Sequence, residues 1–231
     1  MARRLFFVPQ VRSGFADLRG EDAKHLTRVL RVELGQLYEI SDNAHKYLAK
    51  VVEAHKEAVR FEIVERLEAE RETPFITLYA AIIKFEHFEW GVEKATELGV
   101  DRIVPLVTAR TEKGLEKAVP KRLERWRKIA LEASQQSRRA FLPEITEAVA
   151  VRKVLGSVEG KKCFLDEERS GQALKRAVDE EPVSVLIGPE GGWTEEEREL
   201  AQGSGWTPIS LGPRVLRAET AWMACLAILR G

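Results

Sequence analysis

The chain has 231 residues, 37 basic and 37 acidic side chains for a formal net charge of zero, and 44% hydrophobic residues. No apolar run approaches the roughly 18 residues a membrane-spanning helix needs, and a neutral balance gives no global attraction to nucleic acid. The length suits two domains, each with a core of its own.

At the N-terminus the sequence is charged and then apolar, but Pro9, Gln10 and Arg12 cut the run too early for a secretory segment, so the expected location is the cytoplasm. Leu5 to Val8 is a strand candidate, Asp22 to Val29 a short helix, and Gln36 to Ile40 a second strand ended by Ser41, Asp42 and Asn43. Lys46 to Glu53 and Ala58 to Val64 alternate well enough to extend an antiparallel sheet. Residues 1–70 are therefore expected to form a compact β-barrel. The charged stretch from Leu67 to Thr73 ends at Pro74 and marks a linker, with a second domain over residues 74–231.

Beyond the linker, strands alternate with helices. Phe75 to Ile83 is nearly all apolar, as expected of a strand covered on both faces. Phe85, Phe88, Val92 and Ala95 then recur at helical spacing up to Gly99. Arg102 to Leu106 is the next strand, and Lys121 to Ser137 a helix with Leu123, Trp126, Ala130 and Ala133 on its apolar side. Trp126 and Trp222 are expected in cores, and Lys94 is expected to pair with Glu97 across one helical turn. Cys163 to Leu165 reads as a short strand and Gln172 to Asp179 as a helix. Val183 to Ile187 is a buried strand. It feeds a Gly-rich bend and a helix opened by Thr194 and Glu197 at capping-box spacing. Pro208 to Leu211 is the last strand, and an apolar helix starting near Glu219 closes the chain.

The alternation implies a parallel sheet, whose ligands bind outside the carboxyl ends of its strands. Three loops lie there, after Leu165, Ile187 and Leu211. Gly188, Gly191 and Gly192 would let backbone amides approach a ligand or take positive φ, and Pro189 stiffens the bend. No G-x-G-x-x-G or G-x-x-x-x-G-K-[ST] run occurs, nor H-E-x-x-H or G-x-S-x-G, which disfavours nicotinamide, P-loop, zinc-protease and serine-hydrolase chemistry. His25, His45, His55 and His87 share no metal-ligand spacing with Cys163 and Cys225, and no metal site is expected. What remains is a backbone-lined slot for a planar heterocycle. Charge is concentrated locally: seven bases face three acids from Met1 to Arg31, and seven face two from Lys121 to Arg139. Such patches suit phosphates, although a solvated helix face is the simpler reading of either alone.

The loops Gly188 to Thr194 (GPEGGWT) and Leu211 to Ala221 (LGPRVLRAETA) together resemble the paired signature of SPOUT-class methyltransferases, specifically the small-subunit ribosomal RNA methyltransferase E family. Lys94 to Val100, Trp126 to Arg139 and His25 to Arg31 are similar to the family pattern as well, so the resemblance covers nearly the whole chain. It implies an N-terminal PUA-like β-barrel for RNA and a C-terminal α/β, parallel-sheet SPOUT domain with a deep trefoil knot. It also implies a homodimer that binds S-adenosylmethionine in the knot and methylates N3 of a uridine in 16S ribosomal RNA of the small subunit. Carried over by motif, the cofactor-binding residues are Leu165, Asp166, Ile187, Gly188, Pro189, Glu190, Gly191, Gly192, Leu211, Gly212, Val215, Leu216, Arg217, Glu219, Thr220 and Ala221. Two departures stand out: Asp42 to His45 lacks the Gly-containing turn common in the family, and Ala218 stands where Thr is common.

Methyl transfer from a sulfonium is an in-line displacement, so the protein must hold donor and acceptor close, remove the N3 proton and stabilise the resulting anion. Arg217 or Arg214 is the cation candidate, and Glu190 and Glu219 are the base candidates. Glu219 has a competing structural role at the start of its helix. Arg3, Arg28, Arg31, Arg138 and Arg139 are the candidates for RNA phosphates. The rival reading is a non-catalytic RNA-binding protein with a PUA-like module, in which the same loops serve only as turns.

Overall fold

A computed structural model describes residues 4–166, 172–175 and 181–231. Contacts divide the chain into two units: Met1–Arg71 with Ser134–Leu142, and Glu72–Ala133 with Pro143–Gly231.

The first unit holds strands β1 (Leu5–Phe7), β2 (Phe15–Arg19), β3 (Leu37–Ser41), β4 (Lys46–His55) and β5 (Ala58–Leu67) in the order β1-β3-β4-β5-β2. β1 runs parallel to β3 and the other pairs are antiparallel, so the sheet is mixed. Register shifts at Leu48/Ala49 and Val51/Glu53 curl the long β4–β5 hairpin around Phe6, Leu18, Ile40, Val51 and Phe61. Strand β2 is absent from the sequence reading, although its alternation is plain once seen: Ala16 and Leu18 are buried while Asp17 and Arg19 point outward. The expected short helix is present as α1 (Glu21–Lys24), which widens into a π-turn at His25–Val29.

The turn without glycine is held by its own side chains. Asp42 accepts hydrogen bonds at Oδ1 from the N–H groups of Ala44 (3.0 Å) and His45 (2.7 Å), and Asn43 takes φ 67°, which asparagine tolerates. Burial opposes the Asp42 charge, but those N–H groups outweigh it and hold the carboxyl below its usual range. Asn43 Oδ1 accepts from Leu142 N at 2.7 Å, and Ser41 Oγ donates to Ala140 O at 2.6 Å, which ties the Ser134–Leu142 segment to this unit.

The second unit is built on an all-parallel sheet. Its strands are β6 (Ile76–Ala81), β7 (Arg102–Val107), β8 (Glu144–Ile145), β9 (Val149–Ala150), β10 (Lys161–Leu165), β11 (Gln172–Ala173), β12 (Val183–Ile187) and β13 (Thr207–Ser210). They lie in the order β11-β13-β10-β12-β6-β7-β8, with β9 also on β7. Helices α2 (Phe85–Glu97), α3 (Leu115–Ser137), α4 (Val151–Leu155), α5 (Glu195–Gly203) and α6 (Ala218–Arg230) complete the unit, though α3 ends within the Ser134–Leu142 segment. Two apolar clusters account for the continuous hydrophobicity of these strands. One joins Leu78, Val185 and Ile187 to Phe88, Trp126 and Trp222; the other joins Val104, Phe164 and Leu186 to Trp193 and Trp206. Trp126 and Trp222 are core residues, as expected, and Lys94 Nζ lies 2.9 Å from Glu97 Oε1.

Two elements differ from expectation. Helix α3 begins at Leu115, one and a half turns before the predicted start, with Pro120 inside it. Proline removes one backbone bond there, but Leu115 and Val119 pack the added turn against the core, and that burial prevails. Gln172 and Ala173, predicted to open a helix, form strand β11 on β13, where the ladder satisfies their backbone. Residues 176–179 of that predicted helix lie outside the described residues.

Helix α6 is fixed to the unit along its length. Arg230 donates to Gly99 O at 2.6 Å and to Pro74 O at 2.9 Å, and its Nη2 lies 2.6 Å from Asp101 Oδ2. Midway, the indole of Trp222 lies flat against Gly91 of α2, where an added Cβ would stand only 2.7 Å from ring carbons. Gly91→Ala should therefore lower stability by about 1–3 kcal/mol through overpacking, despite alanine's better helix propensity. Urea denaturation checks this; unchanged or increased stability would show that Trp222 repacks freely.

Candidate functional site

Strand β10 lies between β12 and β13, and Leu165 is in register with Ile187 on one side and Ile209 on the other. Three parallel strands thus end level, and their loops frame a cavity of about 550 Å³. This is where a parallel sheet places ligands, and the size falls within the roughly 300–1,000 Å³ of small-molecule sites.

Most of the expected residues meet there. Leu165 and Asp166 follow β10; Ile187, Gly188, Pro189, Glu190 and Gly192 follow β12; Leu211, Gly212, Arg214, Val215, Leu216 and Arg217 lead into α6, which adds Ala221. Gly191, Glu219 and Thr220 are not among the lining residues. The carbonyl of Gly191 instead accepts a hydrogen bond from the Arg110 guanidinium, and Glu219 is buried with its Oε1 3.1 Å from His87 Nδ1. His87, Trp193 and Ser210 line the cavity without having been named as candidates, and Ala218, noted as a departure from the family pattern, lines it as well. For His87 no local signal existed, since it comes from α2, more than seventy residues before the loops in sequence.

The loop after β12 is rigid for reasons its sequence states only partly. The Thr194–Glu197 capping box is present, and Glu197 does more than cap: its Oε1 also accepts from Ala109 N at 2.8 Å, tying in the segment after β7. Gly192 takes φ 70°, as a glycine-dependent bend requires, whereas Gly188 serves a different need. A Cβ on Gly188 would stand 2.9 Å from the Trp193 ring, so glycine here admits the indole. Trp193 is 2% exposed, tilts against Phe164 with centroids 5.1 Å apart, and donates from Nε1 to Leu165 O at 2.9 Å. One side chain thereby locks the second loop to the strand that feeds the first. Asp166 is held by Arg198 through two contacts, Nε to Oδ2 at 2.7 Å and Nη2 to Oδ1 at 3.2 Å, a bidentate geometry that fixes the first residue after β10.

The walls are therefore apolar side chains and backbone, while the charges at the cavity are Arg214, Arg217, Glu190 and an Asp166 already matched by Arg198. That leaves a positive surplus, suited to a ligand with an apolar planar part and a carboxylate. Thiol chemistry is poorly served. Burial pushes the Cys163 and Cys225 thiols above their ordinary range, opposing thiolate formation. Of the arginines expected to meet RNA, Arg28, Arg31 and Arg138 are exposed and Arg139 partly so. All four belong by contact to the first unit, so Arg138 and Arg139 do not count with the loop-bearing unit, where the sequence reading placed them. Arg3 lies outside the described residues.

A family model described as an RNA methyltransferase domain matches residues 70–230, and one described as an RNA methyltransferase PUA domain matches residues 18–64. The ribosomal RNA small subunit methyltransferase E of Aquifex aeolicus is 32% identical, over 97% of this chain and 98% of its own. That of Synechocystis is 33% identical, over 98% of this chain and 77% of its own. Among solved structures, a ribosomal RNA small subunit methyltransferase E from Neisseria gonorrhoeae bound to S-adenosyl methionine superposes with a TM-score of 0.86 at 29% identity, covering 98% of this chain and 96% of that one. A methyltransferase from Legionella pneumophila in complex with the same cofactor gives 0.88 at 30% identity, covering 99% and 97%.

Trp193→Phe keeps the ring but removes the donor to a buried carbonyl. It should cost about 1–3 kcal/mol of stability in urea denaturation. No loss would show that the Leu165 carbonyl finds another partner.

Proposed function

The chain belongs to the ribosomal RNA small subunit methyltransferase E family, and from that premise we propose that it transfers a methyl group from S-adenosylmethionine to N3 of a uridine in 16S ribosomal RNA. The observation that carries this reading is the cavity at the level ends of β13, β10 and β12, whose lining contains the matched loops of the family signature. The lining also fits the cofactor chemically. Leu165, Ile187, Leu211, Val215 and Leu216 offer apolar surface to an adenine, and Arg214 offers positive charge to an amino-acid carboxylate, which leaves Arg217 for the acceptor base.

When bound, S-adenosylmethionine supplies an electrophilic methyl group. Asp166, gripped by Arg198, and the loop after β12, anchored by Trp193, would hold the cofactor, and positioning of donor and acceptor is a main contribution to catalysis of such a displacement. Arg217, with Arg214 beside it in the lining, stabilises the negative charge that uracil develops on its carbonyl oxygens as N3 loses its proton. Glu190 is the exposed carboxylate in the lining and is assigned as the proton acceptor, in preference to buried Glu219. Residues 1–70 act as the RNA-binding module with Arg3, Arg28 and Arg31 on phosphates, Arg138 and Arg139 of the Ser134–Leu142 segment add to it, and the rest of residues 74–231 carry out the transfer.

The segment around the last strand is proposed to thread as a deep trefoil knot. The family resemblance supports this. The same resemblance supports a homodimer, and exposed Trp90 and Val215 suit contact with a second copy.

Arg217→Ala separates binding from chemistry. Calorimetry should show S-adenosylmethionine still bound within about threefold of wild type, while methyl transfer to small-subunit ribosomal RNA falls by roughly 100-fold or more, the scale of losing one charge-stabilising donor. Full turnover in the variant would remove Arg217 from the mechanism.

A further inference from the structure

Helix α6 starts at the cavity without a side-chain cap: Arg217 is its N-cap residue and makes no capping bond. Arg217, Ala218 and Ala221 all line the cavity, so the position of this first turn sets one wall. The polar contact that fixes the turn comes from Glu219. It is 4% exposed, and its Oε1 lies 3.1 Å from Nδ1 of His87, in the first turn of α2. Trp222 against Gly91 and the Arg230 network hold the middle and far end of α6, leaving the His87–Glu219 contact at the cavity end.

A carboxylate so deeply buried is costly unless it is paired. The helix dipole favours negative charge in a first turn, and the imidazole supplies a donor, and a full charge when protonated. The other ring nitrogen, Nε2, lies 3.8 Å from Oε1 of exposed Glu86, so carboxylates flank the ring on both sides. The remaining charged groups of the cavity that His87 shares are Asp166, Glu190, Arg214 and Arg217.

We propose that His87 is a positioning residue for the cofactor: acting through Glu219, it holds the first turn of α6, and with it Arg217 and the loop from Leu211 to Leu216, in the geometry that accepts S-adenosylmethionine. The inference rests on the cofactor assignment made above.

Calorimetric titration of the protein with S-adenosylmethionine tests this. His87→Ala should bind roughly tenfold more weakly, the scale of coupling between residues in contact. His87→Lys should recover affinity to within about threefold of wild type, because its ammonium group can also pair with Glu219. The double variant His87→Ala with Glu219→Gln should bind no more weakly than the weaker single variant. If His87→Ala fails to fold by thermal melting, His87→Gln, which keeps a donor for Glu219, should bind within about threefold of wild type. Wild-type affinity in His87→Ala overturns the proposal. So do additive losses in the double variant, which would mean direct ligand contact by His87, and failure of folded His87→Lys to recover binding. A wild-type protein that takes up no S-adenosylmethionine overturns the cofactor assignment itself, a result distinct from all of these.

Discussion

The parallel pairing of β10 between β12 and β13 is the constraint on which the rest of the site depends. Because Leu165 faces both Ile187 and Ile209 in register, three chain segments that are far apart in sequence leave the sheet at the same level. A slip of one residue on either side would turn the alternating side chains to opposite faces, moving Ile187 or Ile209 out of the cluster they share with Leu165. Burial on both faces makes such a slip costly, so the register is strongly set.

The loops inherit that rigidity through a few polar contacts with apolar support. Trp193 bridges the second loop to the Leu165 carbonyl, Arg198 grips Asp166, and Glu197 reaches from a helix cap to Ala109. The third loop is different, because it enters α6 and is only as well placed as that helix. Packing of Trp222 on Gly91, the Arg230 network and the His87–Glu219 contact supply that placement from α2 and from the segment around Pro74, Gly99 and Asp101. Function in this unit therefore rests on side chains that never need to touch a ligand.

Local patterns were legible in the sequence and long-range partnerships were not. The strands Val183–Ile187 and Arg102–Val107, the α2 stripe and the Thr194–Glu197 cap follow from periodicity and spacing, which are properties of neighbouring residues. The start of α3 was missed because Pro120 argues against a helix locally while Leu115 and Val119 win by packing. Gln172–Ala173 was misread because a two-residue strand has no period of its own and exists through its partner β13. Gly188 reads in the sequence as close approach for a ligand or freedom of φ, and only the neighbouring indole reveals why a side chain is excluded. Most lining residues came from the paired loops, whereas His87 and the burial of Glu219 became visible once α2 and α6 were seen together.

Membership in the methyltransferase family and the cavity at the strand ends, lined by the signature loops with Arg214 and Arg217, converge on S-adenosylmethionine-dependent methylation of ribosomal RNA. The most direct test is to incubate the protein with small ribosomal subunits and methyl-labelled S-adenosylmethionine, digest the ribosomal RNA to nucleosides and identify the labelled product by mass spectrometry. Label in 3-methyluridine is the expected result. Absence of label, or label confined to a ribose, a carbon or another base, would contradict it.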